Sequence, residues 1–167
     1  LETLCGALSA AGRAEEGLRE ATEMREECRR SGDSAAAAAA YLAACFMLHD
    51  LSRVEEALAA AREAEELFGI ADRPLDRARA LAAVAEIRLA TGEGYEIARR
   101  AAQRSRRLFA QAGAAEELSA LRMQVAECQA QVYALMEQPV HIFTANAWAA
   151  ALAAAQRAEE RARDLHD

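Results

Sequence analysis

The sequence predicts an all-α fold, an α-solenoid of about three and a half to four helix-turn-helix repeats, on three observations. First, 46 of the 167 residues are alanine, the strongest helix former, whereas Val and Ile are scarce and only two prolines occur. Second, helix-breaking residues recur at short intervals along the chain. Third, the segments between the breakers resemble one another at spacings of 40 and 41 residues.

The turn signals separate segments in which apolar residues recur every three or four positions, the periodicity of an amphipathic helix. Eight helices are expected, the first of them incomplete. Ser34 and Ser52 are expected to cap helices, and Pro74 suits a first helical turn. The turn signals lie at Gly12, 31–33, 50–52, 72–74, 92–94, Gly113 and Pro139.

The repeat involves both helices of each predicted pair. Residues 54–58 (VEEAL) echo residues 14–18 (AEEGL) after 40 residues, and residues 84–86 (VAE) recur unchanged at 125–127 after 41. A third match, also at 41, aligns Ala57, Ala61, Ala64, Leu67 and Phe68 with Ala98, Ala102, Ser105, Leu108 and Phe109. One period shared by both helices of a pair indicates a stack of repeats and not a closed bundle around a small ligand.

These residues resemble the 40-residue, long-helix type of tetratricopeptide repeat, most strongly over residues 54–113. In that family the first helix carries a large-apolar, apolar, small pattern, and a glycine precedes the second helix, which has two small residues. The matching positions are Tyr41, Ala44 and Cys45, and Leu81, Val84 and Ala85, then Gly92, and then Ala57 with Ala64 and Ala98 with Ser105. Arg88 stands where the family usually has an aromatic residue, and Ser52 replaces the loop glycine.

One domain is expected, with repeats at 1–33, 34–72, 73–113 and 114–167, as a fragment of a longer chain because it opens with Leu1. The helix from about Ala114 is expected to reach Met136, before Pro139. A last helix is expected from a Thr144 cap to Leu165. The apolar connection 139–143 either folds back as part of a terminal cap or presents a partner-binding edge.

The chemistry that an enzyme needs is not evident in the sequence. His49, His141 and His166 stand alone, and there is no His-Glu-x-x-His motif, paired-cysteine motif or glycine-rich phosphate loop after a strand. No catalytic residue, cofactor or metal site is therefore expected. The net charge of −7 disfavours nucleic acid, and no apolar run is long enough to span a membrane.

The four cysteines are scattered, which predicts buried thiols in a reducing compartment, with the cytoplasm as the expected location. An organelle interior stays open, because a targeting signal upstream of Leu1 would be missing from this chain. The cysteines are Cys5, Cys28, Cys45 and Cys128.

The family resemblance implies a concave groove lined by the first helices of the repeats. It places there Leu42, Phe46, His49, Arg79, Ala82, Glu86, Gln124 and Glu127. A mixed apolar and polar peptide or helix suits these residues, although Phe46 is equally compatible with the core. The family's chaperone-tail clamp uses Lys and Asn, but this chain has no lysine and its single Asn146 lies outside the expected groove.

A second candidate surface is an arginine band in the third repeat. Residues 73–113 carry nine arginines and four acids, between flanking regions that are net acidic. Three interpretations stay open: ion pairs with neighbouring glutamates, a docking patch for an acidic protein surface, or nucleic-acid binding. The arginine band comprises Arg99, Arg100, Arg104, Arg106 and Arg107.

The predicted function is a non-catalytic protein-protein interaction module or scaffold, which can form part of a larger assembly. It would bind another protein through the groove or the arginine band. The alternative is a structural accessory subunit or spacer that neighbouring subunits bury within a complex.

Overall fold

A computed structural model describes residues 2–115 and 118–136, together with residues 149, 152–154, 156–157 and 160. Across this part of the chain there are seven α-helices and no strand, which confirms the predicted all-α solenoid. The helices are α1 (Glu2–Ala10), α2 (Ala14–Ser31), α3 (Ser34–Asp50), α4 (Val54–Ile70), α5 (Pro74–Thr91), α6 (Tyr95–Gln111) and α7 (Leu118–Met136). The connection 139–143 lies outside the described residues, and only isolated helical positions of the expected eighth helix are described.

The helices form two layers that differ in their neighbours. Each helix packs against the next one in sequence, and α1, α3, α5 and α7 also contact one another in that order. Among the described helices, the backbones of α2, α4 and α6 do not approach one another, and a side-chain ion pair joins α4 to α6. We call the first set the inner layer and the second the outer layer. Because only the backbones of the inner helices approach closely, the stack curves with the inner layer on its concave side.

Five of the six described turns share one geometry. A residue with left-handed backbone follows the helix, and the next N–H donates to a carbonyl five residues earlier, as Arg53 does to Leu48 at 2.8 Å. The turn at Gly92 instead contains a second left-handed residue, Gly94. The first left-handed residue of each turn recurs every 20 positions through the first five turns, and that of the sixth follows after 21. These residues are Gly12, Gly32, Ser52, Asp72, Gly92 and Gly113.

The predicted helix caps need a correction. Asp33, not Ser34, caps α3, since its carboxylate accepts the Ala36 N–H at 3.0 Å and Ser34 is already helical. Ser52 does not cap α4: its φ of 59° places it in the left-handed position that glycine occupies in other turns. Pro74 is the first residue of α5, as predicted. A capping residue must directly precede its helix. Ser34 is already the first residue of α3, and Ser52 lies two residues before the start of α4.

The core depends on small residues that let the helices approach closely. Ala57, Ala61 and Ala64 of α4 are fully buried beside Phe68. In α2 the position of Ala57 is taken by Gly17, where an added Cβ would lie 2.5 Å from the Met47 Sδ. The Gly17 backbone thus lies so close to the Met47 side chain that an added methyl group would require that side chain to move.

A buried serine in α6 is satisfied by the neighbouring helix. The Ser105 Oγ is inaccessible to solvent and donates a hydrogen bond of 2.7 Å to the Ala78 carbonyl of α5. The bond lets a small polar residue stand where the equivalent α4 position has Ala64, without leaving a polar atom unpaired.

The four cysteines are free and buried. Burial raises the pKa of each thiol, and that of Cys45 reaches about 12. The thiolate that would react with metals or oxidants is therefore disfavoured. In the residues that the structure describes, no helix is long and apolar enough to cross a bilayer.

Candidate functional site

The concave side of the inner layer carries an open groove of about 550 Å³, which all four inner helices line. Its floor and walls are mostly apolar, and its charged side chains are Asp50, Arg79, Glu86 and Arg122. Because the helices of this layer run side by side, residues separated by 40 positions line the groove in rows. One such row is Gly6, Phe46 and Glu86 on α1, α3 and α5.

Five residues expected in the groove line it: Leu42, Phe46, Arg79, Ala82 and Glu86. Leu42 is almost fully buried and forms part of the floor, whereas Phe46 is 44% exposed. The open question about Phe46 is thereby answered, since this ring belongs to the groove surface and not to the core.

The carboxylate of Glu86 is tied into an ion pair within the groove. The Arg122 Nη2 of α7 lies 2.7 Å from its Oε1. Burial raises the pKa of Glu86, and the nearby charges of Arg122 and His49 oppose that rise. His49 thus lies close enough to Glu86 to influence it, but it does not line the groove itself. Glu86 and Arg122 neutralise each other at the centre of the site.

Gln124 and Glu127 are not in the groove. They face α6, where the Glu127 carboxylate accepts hydrogen bonds from Gln103 and Arg106. The groove side of α7 is formed instead by Ser119, Arg122 and Met123, which follow Arg79, Ala82 and Ala83 by 40 residues. The prediction carried Glu86 forward by 41, the spacing at which residues 84–86 recur in the sequence, whereas the groove face of α7 follows that of α5 by 40. One residue turns a side chain about 100° around a helix, which is enough to move it to another face.

The groove also contains residues that the sequence analysis did not identify, above all on α1. Gly6 and Ser9 line it, and the Ser9 hydroxyl donates to the Asp50 carboxylate at the end of α3. The signal was present in the 40-residue period, since Gly6 precedes Phe46 by one period and Asp50 follows it by one helical turn.

Most of the arginine band is engaged in ion pairs. The Arg104 Nη2 lies 2.8 Å from the Glu65 Oε1 of α4, and the Arg106 Nη1 lies 2.5 Å from the Glu127 Oε2 of α7. Glu65 also binds Arg77 of α5, so one carboxylate joins three helices. These contacts agree with the first of the three interpretations above, in which the band forms ion pairs with glutamates of neighbouring helices.

Among the described residues, the remaining arginines of the band form no ion pair with another helix. Arg99 and Arg100 both bind Glu96 of their own helix, and their hydrogen bonds lower the pKa of that carboxyl to about 2. Among the described residues Arg107 makes no ion pair. Arg100 and Arg107 point to solvent, so a reduced basic patch is available on the convex side.

Arg88 occupies the position where the tetratricopeptide family usually has an aromatic residue. Its side chain is only 12% exposed, its Nη1 lies 3.5 Å from Glu55, and its Nε is buried without a hydrogen-bond partner among the described atoms. Its methylene stem packs beneath the Gly94 turn, where a Cβ would lie 3.6 Å from the Arg88 Cδ. A long aliphatic stem can thus fill space that a ring fills elsewhere.

Within the described ranges no group of three or more His, Cys, Asp or Glu side chains is placed to hold a metal ion. The fold and the groove define an all-α helical-repeat protein with a concave, largely apolar site. A scan against protein-family models finds no match, and a search of curated proteins finds no relative.

Proposed function

We propose that this chain is a non-catalytic protein-interaction module of the tetratricopeptide type, which binds a protein partner in its groove. The single observation that carries the proposal is Phe46, a 44% exposed aromatic ring inside a concave site of about 550 Å³. A site of this size, largely apolar with a few charged side chains, suits a short helix or peptide.

The arginine band is the weaker candidate for the main binding surface. Arg104 and Arg106 already bind carboxylates of neighbouring helices. An acidic partner would have to displace these contacts, so part of the interaction energy would be lost. The groove has no such competitor for Phe46.

The test uses the full chain and a display library of helical peptides. Binders are selected on the wild-type chain and measured against Phe46→Glu and against a triple variant with Arg100, Arg104 and Arg107 changed to Glu. The groove proposal expects Phe46→Glu to weaken binding by about a hundredfold or more, because a charge replaces a buried anchor, while the triple variant binds normally.

Circular dichroism is measured on both variants, and each is expected to keep the helical content of the wild-type chain. Peptides that still bind the Phe46→Glu variant but no longer bind the triple variant would show that the arginine band is the binding surface. A selection that yields no specific binder at either surface favours the alternative role as a buried spacer or accessory subunit.

A further inference from the structure

The groove contains an unfilled space opposite its exposed aromatic ring. Gly6 lies on α1 in the same row as Phe46 of α3, and a Cβ built at Gly6 would meet no heavy atom within 4 Å. Gly6 is inside a helix and has no left-handed backbone that would require glycine. Glycine in a helix interior costs roughly 0.5–1 kcal/mol relative to alanine, so the fold itself gains nothing from it. Its effect is to keep the space beside Phe46 open.

The charged side chains of the groove differ in their partners. Arg122 pairs with Glu86, and Arg79 lies 3.1 Å from the Asp76 carboxylate, which Arg73 also binds at 2.7 Å. Asp50 makes no ion pair within the described residues; its recorded contact is the Ser9 hydroxyl. It is also the last residue of α3, where the helix dipole carries negative partial charge and disfavours a carboxylate. Within the described residues its one side-chain hydrogen bond joins α3 to α1, and its other acceptor positions are open to a basic group of a ligand.

The distance between the open space and the Asp50 carboxylate is one that a single ligand can span. Phe46 and Asp50 are four residues apart on α3, which corresponds to about 6 Å along the helix axis. On a partner helix, side chains three or four residues apart lie on one face at a similar separation. A single helical turn of a partner can therefore reach both.

From this geometry we propose that the groove, acting in the proposed function, recognises an amphipathic helix that carries a bulky apolar residue and an Arg or Lys three or four positions away. The apolar side chain fills the space between Gly6 and Phe46. The basic group binds the Asp50 carboxylate at the edge of the groove, where the C-terminal end of α3 adds to the negative potential.

The probe is a display library of alanine-rich helical peptides of about four turns with one central Leu or Phe. Three sub-libraries place Arg, Gln or Glu at the positions three and four residues on either side of this anchor. Selected on the full wild-type chain, the Arg sub-library is expected to give the binders, with affinities about tenfold above those of the matching Gln peptides.

Three variants locate the contacts. Gly6→Leu fills the open space and is expected to reduce binding at least about a hundredfold, while Ala7→Leu, exposed on the next position of α1 and outside the groove, is the matched control. Asp50→Asn is expected to remove the preference for Arg, and Asp50→Arg to transfer it to the Glu sub-library. Each variant is checked for unchanged helical content.

The outcomes separate this inference from the proposed function. Binders that depend on Phe46 but show no preference for Arg, or ignore Asp50→Arg, would overturn the inference and leave the groove as the binding site. Binders indifferent to both Phe46→Glu and Gly6→Leu would overturn both proposals. Concentration-dependent dimers that Gly6→Leu abolishes would identify a second copy of the chain as the occupant and would also overturn the inference.

Discussion

Two phenylalanines, one from each layer, contrast with the helices that carry them: the ring on an apolar helix is exposed, and the ring on an arginine-rich helix is buried. Between Ser34 and Leu48, α3 of the inner layer has no charged side chain, yet its Phe46 is 44% exposed. The outer helix α6 contains five arginines, yet its Phe109 is completely buried. Position in the stack, more than the polarity of the helix, decides which ring is part of the core.

The layers differ because their helices have different numbers of neighbours. The inner helix α3 contacts α1, α2, α4 and α5, so nine of its 17 residues are buried, and Phe46 and Asp50 are its exposed residues. The backbone of the outer helix α6 approaches only α5 and α7 among the described helices, with Arg104 reaching Glu65 of α4, and α6 buries one narrow face. The apolar sequence of α3 is thus explained by packing, which does not account for its exposed ring.

The comparison is tested most strongly by truncating both rings. Phe109→Ala should lower the free energy of unfolding by about 3–5 kcal/mol, because it leaves a cavity in a closed part of the core. Phe46→Ala should lower it by no more than about 1 kcal/mol, since much of that ring is already in water. Urea unfolding followed by far-UV circular dichroism measures both values. Equal losses would show that the two layers do not differ in this way.

Two helical glycines provide a second test, of intermediate size. Gly6→Ala should raise the free energy of unfolding by about 0.5–1 kcal/mol, because it adds helix propensity in open space. Gly17→Ala should lower it by about 1 kcal/mol, since the new methyl group meets the buried Met47 side chain.

A double-mutant cycle supplies the control for this second test. In a Met47→Ala background the space beside Gly17 is vacated, so Gly17→Ala should no longer destabilise the chain. If Gly17→Ala is still destabilising there, contact with Met47 is not the reason for the glycine.

The ion pairs of the outer layer should contribute least to the free energy of unfolding. Arg104→Ala is expected to lower the free energy of unfolding by about 0.2–1 kcal/mol, because its side chain is 54% exposed, although that of Glu65 is only 16% exposed. The difference from the wild-type chain should shrink in about 1 M salt, where screening is strong. Arg107→Ala, which removes an arginine without an ion pair among the described residues, should have no measurable effect. A larger loss for Arg107 than for Arg104 would contradict the assignment.

The helix boundaries were predictable because glycine is the residue that most readily adopts the left-handed backbone at a helix end. Gly12, Gly32 and Gly92 therefore announce their turns in the sequence. The turn at Asp72 was also expected, from residues 72–74, but aspartate is common in caps and extended turns too, so only the 20-residue spacing indicates its left-handed backbone. The cap of α3 was misplaced by one residue for the same reason: Asp33 and Ser34 are both good caps by residue type, and only the turn geometry selects between them.

The candidate site was predictable where the period was constant. The α3 and α5 residues of the groove, among them Phe46 and Glu86, followed from a 40-residue repeat. The additional residue in the Gly92–Gly94 turn moves α6 to an offset of 41, but the groove face of α7 keeps 40. A one-residue choice between these offsets placed Glu127 on the wrong face. The pairing of Glu65 with Arg104 depends on distances between helices, which no single-helix pattern contains.

The even spacing of the left-handed turns also determines how such a chain can change in length. Residues 32 and 72 both have left-handed backbone, and each lies two residues before the first residue of an inner helix, so they are equivalent joints. Removing or duplicating the 40 residues between two such joints keeps every helix face pointing in its original direction, whereas a change of one residue rotates everything beyond it by about 100°. Growth of the stack by whole units thus extends the groove, and growth by single residues disrupts it.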